Sequence, residues 1–245
     1  MNVFYGELAP WWPVLSPLED YEEEAASFVA ALRARRPAAR DLLELGSGGG
    51  HVAFYLRRAF DVTLTDLSAE MLRVAVAVNP GCAAVQGDLR ALDLGRTFDV
   101  VFAHDAVDYL LTEADLAAAA RTARRHLRPG GLALFVPDAV AERFAPGTDW
   151  GGSDAADGRA ARLLEWTEPL ADGATSVVVH YDFVLRSPDG AVSTRYERHA
   201  CGVFPTAAWV RALEQAGLRA EVAEEETTED HAPRLLFFGH APEAA

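Results

Sequence analysis

The chain has 245 residues, half of them hydrophobic and about a quarter charged, with a formal net charge of −15 at pH 7. That size allows one sizeable core, or a core with an inserted subdomain. All 22 basic residues are Arg, and the acidic balance leaves no basic surplus to neutralise a nucleic-acid backbone.

Cys82 and Cys201 stand far apart in no metal or redox spacing and read as free thiols, so no metal site is expected. The opening Met1–Glu7 lacks the basic start and apolar run of a secretory signal. No stretch is long enough to span a membrane. A cytoplasmic location without a membrane partner is therefore expected.

Residues 1–17 hold Phe4, Tyr5, Trp11 and Trp12 among three prolines, which favour extended or turn conformations. A helix is predicted over 18–36, since Tyr21, Ala25, Phe28, Val29 and Leu32 recur at helical spacing. Its acids come first and its arginines last, complementing the helix dipole.

From Asp41 to Pro137 short apolar strands alternate with helices, which argues for βαβ units and a parallel sheet. Strands are predicted near 42–45, 62–65, 83–86, 98–103 and 132–137, and helices near 51–59, 69–78 and 112–127. Leu42–Leu45 runs into Gly46-Ser47-Gly48-Gly49-Gly50, a turn whose bare backbone a ligand can approach closely. The helix that follows offers unpaired N–H groups at a partly positive end. Asp66 closes the second strand twenty residues past Gly46, where an acid in a nucleotide-type site bonds ribose hydroxyls. The third strand ends in Gly87-Asp88-Leu89. Right-handed crossovers bring Gly46, Asp66, Asp88 and the stretch after Phe102 to one sheet edge.

Over about residues 40–138 the chain resembles the class I S-adenosylmethionine-dependent methyltransferases. The likeness rests on Glu44-x-Gly46-x-Gly48-x-Gly50, on Asp66-Leu67-Ser68 with Met71-Leu72, and on Gly87-Asp88-Leu89. Phe98-Asp99-Val100-Val101 and Leu127-Arg128-Pro129-Gly130-Gly131 complete it. The resemblance implies a Rossmann-like, seven-stranded, mostly parallel α/β sheet with an antiparallel last strand pair. It implies S-adenosyl-L-methionine as cofactor and S-adenosyl-L-homocysteine as product.

Residue roles follow from the same resemblance. Glu44, Gly46, Ser47 and Gly48 would hold the methionine part, and Asp66 the ribose. Leu67 and Met71 would pack on the adenine, with Gly87, Asp88 and Leu89 at its amino group. Ala103 and His104 would pass under the sulfonium, and His104 or Asp105 would serve as general base. In many family members aromatics before the first strand close the pocket. Here Tyr5 and Tyr21 are candidates on the cofactor side, and Trp11 on the acceptor side. The remaining acceptor candidates are Tyr109, Trp150, Trp166, His180, Arg195 and His199; a packed aromatic or an exposed strand residue is the competing reading for all of them but Tyr109.

Residues 139–204 break the alternation. Trp150–Asp154 and its surroundings read as loop, followed by an inserted antiparallel strand pair at about 175–186 and 191–204 joined through Ser187-Pro188-Asp189-Gly190. A helix near 206–216 and strands near 218–224 and 234–240 finish the sheet, and the acidic run Glu224–Asp230 reads as a solvated loop. The chain is read as a single methyltransferase domain: a cap and helix at 1–37, a cofactor core at 38–138, an acceptor-side region at 139–204 and the sheet end at 205–245.

The Asn/Asp-Pro-Pro-aromatic loop of nucleic-acid amino methylation is absent after the fourth strand, and neither cysteine follows a proline. The expected reaction is methyl transfer to a small-molecule amine by in-line displacement, with the layout most similar to amino-sugar N-methyltransferases. O-methylation is the alternative. A nicotinamide-dependent dehydrogenase or a non-methylating cofactor binder are readings of other classes, although position 51 is His where the dinucleotide fingerprint wants its third glycine. The oligomeric state stays open, a homodimer being one option.

Overall fold

The computed structural model describes residues 3–227 and 233–244. The chain runs α1 (Trp12–Leu15), α2 (Glu22–Arg35), β1 (Asp41–Leu45), α3 (His51–Leu56), β2 (Asp61–Asp66), α4 (Ala69–Val78), β3 (Ala83–Gln86) and β4 (Phe98–His104). After α5 (Glu113–His126) and β5 (Leu127–Val136) come β6 (Gly147–Gly151), β7 (Ala160–Thr167), β8 (Ser176–Arg186) and β9 (Val192–Gly202). α6 (Thr206–Gln215), β10 (Arg219–Glu224) and β11 (Leu235–His240) close the fold.

Seven strands form the main sheet in the order β10-β11-β5-β4-β1-β2-β3. β1 to β5 are parallel, and β11 is antiparallel to both β5 and β10. The central strands are apolar on both faces because both are covered. Val101 and Ala103 of β4 pack on the α5 and α6 side with Leu116, Ala120 and Trp209. Val100 and Phe102 pack on the opposite side with Phe28, Leu32, Val52 and Ala75 from α2, α3 and α4. Two-sided burial is what a parallel strand between helix layers requires, and each fully buried Leu or Phe contributes about 1.5–3 kcal/mol.

The predicted α/β class holds, and the region before β10 needs correction. The predicted strand pair belongs to a four-stranded antiparallel sheet, β6-β7-β8-β9, and the expected loop around Trp150 is partly strand. β6 is almost wholly exposed, so no apolar alternation announces it, and Gly147, Gly151 and Gly152 read as punctuation. The inner face of this sheet, through Ala161, Phe183 and Leu185, packs on Phe4, Leu8, Val14 and Leu15 of the N-terminal segment.

Two smaller corrections concern charge and boundaries. The helix predicted from 18 opens as a 3₁₀ turn over Leu18–Tyr21 before α2 begins. Within the acidic run Glu225 is buried and pairs with Arg234 at 2.7 Å, so it is not a solvated loop residue. Residues 228–230 of that run lie outside the described residues. Among the described residues no helix is long and apolar enough to cross a membrane.

Candidate active site

Four strand ends converge on one cavity of about 420 Å³. The turn after β1 is tied sideways to β2, because the amides of Gly46 and Ser47 both donate to the Thr65 carbonyl at 2.8 and 2.7 Å. Gly46 has φ +77, and a Cβ there would lie 2.2 Å from the Cβ of Ala106. Only glycine permits that approach.

Asp66 ends β2 with a carboxylate that accepts from the Gly48 amide at 2.8 Å and the Ser68 amide at 2.7 Å. Burial raises its pKa while these N–H groups oppose the rise. Each oxygen keeps a lone pair for a further donor. Ser68 also caps α4 by accepting from the Met71 amide, which fixes the loop.

The N-terminal segment roofs the cavity. Trp12 lies so close to the turn that a Cβ on Gly49 would be 2.2 Å from its ring. Tyr5 accepts from the Ser68 hydroxyl through its carbonyl, and Tyr21 bonds Ser16 at 2.6 Å. Four buried polar atoms among the described residues of this wall have no hydrogen-bond partner: Glu44 Oε2, Ser47 Oγ, Trp12 Nε1 and His51 Nδ1. Burial, with Asp66 nearby, pushes the Glu44 carboxyl up to about 8. A carboxylate, a hydroxyl and an acid at a strand end are the partners that an amino-acid group and a ribose demand, so these residues fit the methionine and ribose parts of S-adenosylmethionine.

At the end of β4 the charges are dense. His104 Nε2 lies 2.7 Å from Asp105 Oδ1, 3.2 Å from Glu24 Oε1 and 2.8 Å from the Arg234 guanidinium. Burial disfavours the imidazolium, but the Asp105 and Glu24 carboxylates outweigh it and hold His104 well above its ordinary value. Burial likewise opposes charge on Asp105, yet His104 and Arg234 keep its carboxyl below the usual range. Asp105 is the one non-glycine among the described residues with positive φ, +51. Asp108 and Asp138 place carboxylate oxygens within 4.8 Å of it. The Asp105 charge and burial push Asp138 up to about 7.

The structure brings many of the predicted residues to this cavity: Tyr5, Tyr21, Glu44, Gly46, Ser47, Gly48, Asp66, Leu67, Gly87, Asp88, Leu89, His104, Asp105 and Tyr109. Asp88 is gripped by Arg90 at both oxygens, with a closest approach of 2.6 Å. That side-chain bond holds it below its ordinary pKa. Met71 and Ala103 are fully buried and back the wall instead of lining it.

The other acceptor candidates lie elsewhere. Trp11 packs under the Arg159 guanidinium. Trp150 and Trp166 are 77% and 63% exposed on the four-stranded sheet. His180 bonds Tyr196 and Glu168 at 2.7 and 2.8 Å, and Arg195 pairs with Glu7. None of these five lines the cavity.

Sequence reasoning missed Trp12, His51, Ser68 and Arg90. His51 opens α3 directly after the glycine turn, which was a usable signal, and burial pushes its imidazole down to about 4, so it is neutral. Trp12 carried none, since a four-residue helix has no periodicity to read.

A family profile described as a methyltransferase domain matches residues 42–131. A Streptomyces fradiae protein, dTDP-3-amino-3,6-dideoxy-alpha-D-glucopyranose N,N-dimethyltransferase, is 31% identical over 222 residues, covering 89% of this chain and 86% of its own. Among solved structures, Streptomyces venezuelae DesVI superposes with a TM-score of 0.79 at 29% identity, over 91% of this chain and 92% of that one. CalS10 with S-adenosylmethionine bound, an amino pentose methyltransferase from Micromonospora echinaspora, gives 0.74 at 27% identity over 90% and 91%. The cofactor is therefore S-adenosylmethionine, and the nicotinamide reading falls away. The chain belongs to the small-molecule branch of the S-adenosylmethionine-dependent methyltransferases, among relatives that act on amino sugars.

Proposed function

We propose that this methyltransferase acts on the amine nitrogen of a small amino sugar, with residues 1–245 working as one domain. The observation that carries this reading is the acidic corner at the end of β4, where Asp105 opens on the cavity with Asp108 and Asp138 behind it. Such a corner attracts and orients an ammonium, whereas a hydroxyl gains little from it.

S-adenosylmethionine supplies a methyl group on positively charged sulfur, open to in-line displacement. The chain does the rest by holding the partners. Glu44 receives the ammonium of the methionine part and Ser47 its carboxylate. Asp66 accepts from the ribose hydroxyls with the lone pairs that Gly48 and Ser68 leave free. Leu67 covers the adenine, Met71 supports the turn from beneath, and Asp88 meets the adenine amino group by sharing its carboxylate with Arg90. Neutral His51 and the Trp12 ring exclude water without adding a positive charge beside the sulfonium.

His104 is held well above its ordinary pKa between two acids, so its part is to fix Asp105. Asp105, kept ionised, orients the acceptor ammonium. A cytoplasmic small-molecule reaction fits this arrangement. The test is incubation with S-adenosylmethionine and either dTDP-3-amino-3,6-dideoxy-α-D-glucose or its 3-hydroxy analogue, read by mass spectrometry. A methylated amine with an unchanged hydroxyl analogue supports the reading, and the reverse pattern overturns it.

A further inference from the structure

His104 is engaged by Asp105, Glu24 and Arg234, and Asp105 is a weak base, so the amine reading leaves the acceptor's proton without a destination. The structure offers one in a buried chain that the sequence did not reveal. Tyr5 Oη lies 2.8 Å from Tyr109 Oη, and Tyr109 Oη lies 2.7 Å from His199 Nδ1. His199 Nε2 in turn lies 3.2 Å from Glu197 Oε2, an ion-pair distance at which the two are not aligned as a hydrogen bond. The Glu197 carboxylate also accepts from the backbone amides of Val3 and Phe4, at 2.6 and 2.8 Å.

Three separate pieces of chain meet here. Tyr5 comes from the roof, Tyr109 from the 3₁₀ turn after β4, and His199 and Glu197 from β9. The approach of β9 depends on Gly202, where a Cβ would lie 2.0 Å from the Leu110 carbonyl. Both tyrosines line the cavity, whereas His199 is only 2% exposed behind them.

We propose that Tyr5, Tyr109 and His199 form a directed proton relay that deprotonates the acceptor ammonium, with Glu197 positioning the imidazole. This rests on the amine reading above. Glu197 favours the tautomer with hydrogen on Nε2, which leaves the Nδ1 lone pair to accept from Tyr109. Tyr109 then accepts from Tyr5, and the Tyr5 oxygen faces the cavity with a lone pair free. It is the logic by which an acid orients a histidine toward a hydroxyl in hydrolase triads.

The step balances. One ammonium N–H bond breaks and its proton passes to the Tyr5 oxygen. Tyr5 hands its own proton to Tyr109, and Tyr109 hands its proton to His199 Nδ1. Both tyrosines end neutral, the imidazolium rests beside Glu197, and the amine keeps the lone pair that displaces the methyl group. After product departs, the proton returns along the same chain to water.

The groups facing His199 are consistent with this role. Tyr5, Tyr109 and Tyr181 surround the ring with Phe4, and Glu197 is the carboxylate beside it. Burial lowers the His199 pKa, opposed by Glu197, so the imidazole is neutral and ready to receive. Burial raises both tyrosines, so neither ionises as a resting state.

Two experiments decide the matter. Long-range ¹⁵N–¹H spectra of the histidine-labelled full chain at pH 7, assigned with His199→Gln, should show neutral His199 with its proton on Nε2. A cationic ring or a proton on Nδ1 overturns the relay, whatever the acceptor. Turnover of dTDP-3-amino-3,6-dideoxy-α-D-glucose should fall about 10²-fold at pH 7 in Tyr109→Phe and His199→Gln. The deficit should shrink as pH rises past the acceptor's own pKa, where free amine arrives without help. An equal deficit at every pH would mean that the chain merely anchors the roof, and would sink the proposal. If wild-type protein fails to methylate this compound, the acceptor reading suffers and the tautomer still decides the relay.

Discussion

With Glu44 proposed as the partner of the cofactor's ammonium, the site should release a proton on binding, and the size of the effect follows from its burial. The carboxyl is 3% exposed with Oε2 unpartnered, and burial pushes it up to about 8. Receiving the ligand ammonium requires the carboxylate, so binding below that pKa must expel a proton. Affinity for S-adenosylhomocysteine should then rise close to tenfold per pH unit, about 30-fold between pH 5.5 and 7.0. At pH 7 about 0.9 proton should be released, measured by calorimetry in two buffers of different ionisation enthalpy. Asp138 also titrates near this window, at about 7, so Glu44→Gln is the control. The variant should bind with a much shallower slope. Flat wild-type affinity, or an unchanged slope in the variant, would refute the reasoning. Stability of the ligand-free chain runs the other way. The folded pKa lies above the ordinary 4.5, so the contribution is whole at acid pH and is lost as pH rises toward about 8. The melting point of wild type should therefore fall relative to Glu44→Gln between those limits.

Arg234→Ala removes the cation shared by half-buried Glu24 and buried Glu225 and should cost about 3–5 kcal/mol in urea denaturation, a loss below about 1 kcal/mol counting against a buried network. Arg234→Lys should recover only part of it, since one ammonium cannot reproduce the forked contacts. On the four-stranded sheet, Trp166→Ala with His180→Ala should leave kcat/KM within about twofold, because both side chains lie off the cavity. A tenfold loss in that double variant would place the acceptor on this face.

The part of the site built on strand ends was readable because it is local. Leu42–Leu45 and the glycines that follow are neighbours in sequence, and two-sided burial makes their apolar runs continuous. The charge state of His104 was not readable, because it depends on Glu24 and on Arg234, which is 130 residues away. The Tyr109–His199 contact spans 90 residues and requires β9 to pass close to Leu110. His199 was an acceptor candidate by residue type, but nothing in the sequence paired it with Tyr109. β6 escaped notice for a different reason: a solvated strand has no buried face to impose alternation.

The N-terminal roof sets a door on the reaction. Its fastenings beside the cavity include Val3 and Phe4 on Glu197, Tyr5 on Ser68 and on Tyr109, and Trp12 against Gly49. Glu197 latches the door with the same carboxylate that orients His199. Opening the gate therefore disarms the imidazole, and the chain is primed for proton transfer only while it is shut.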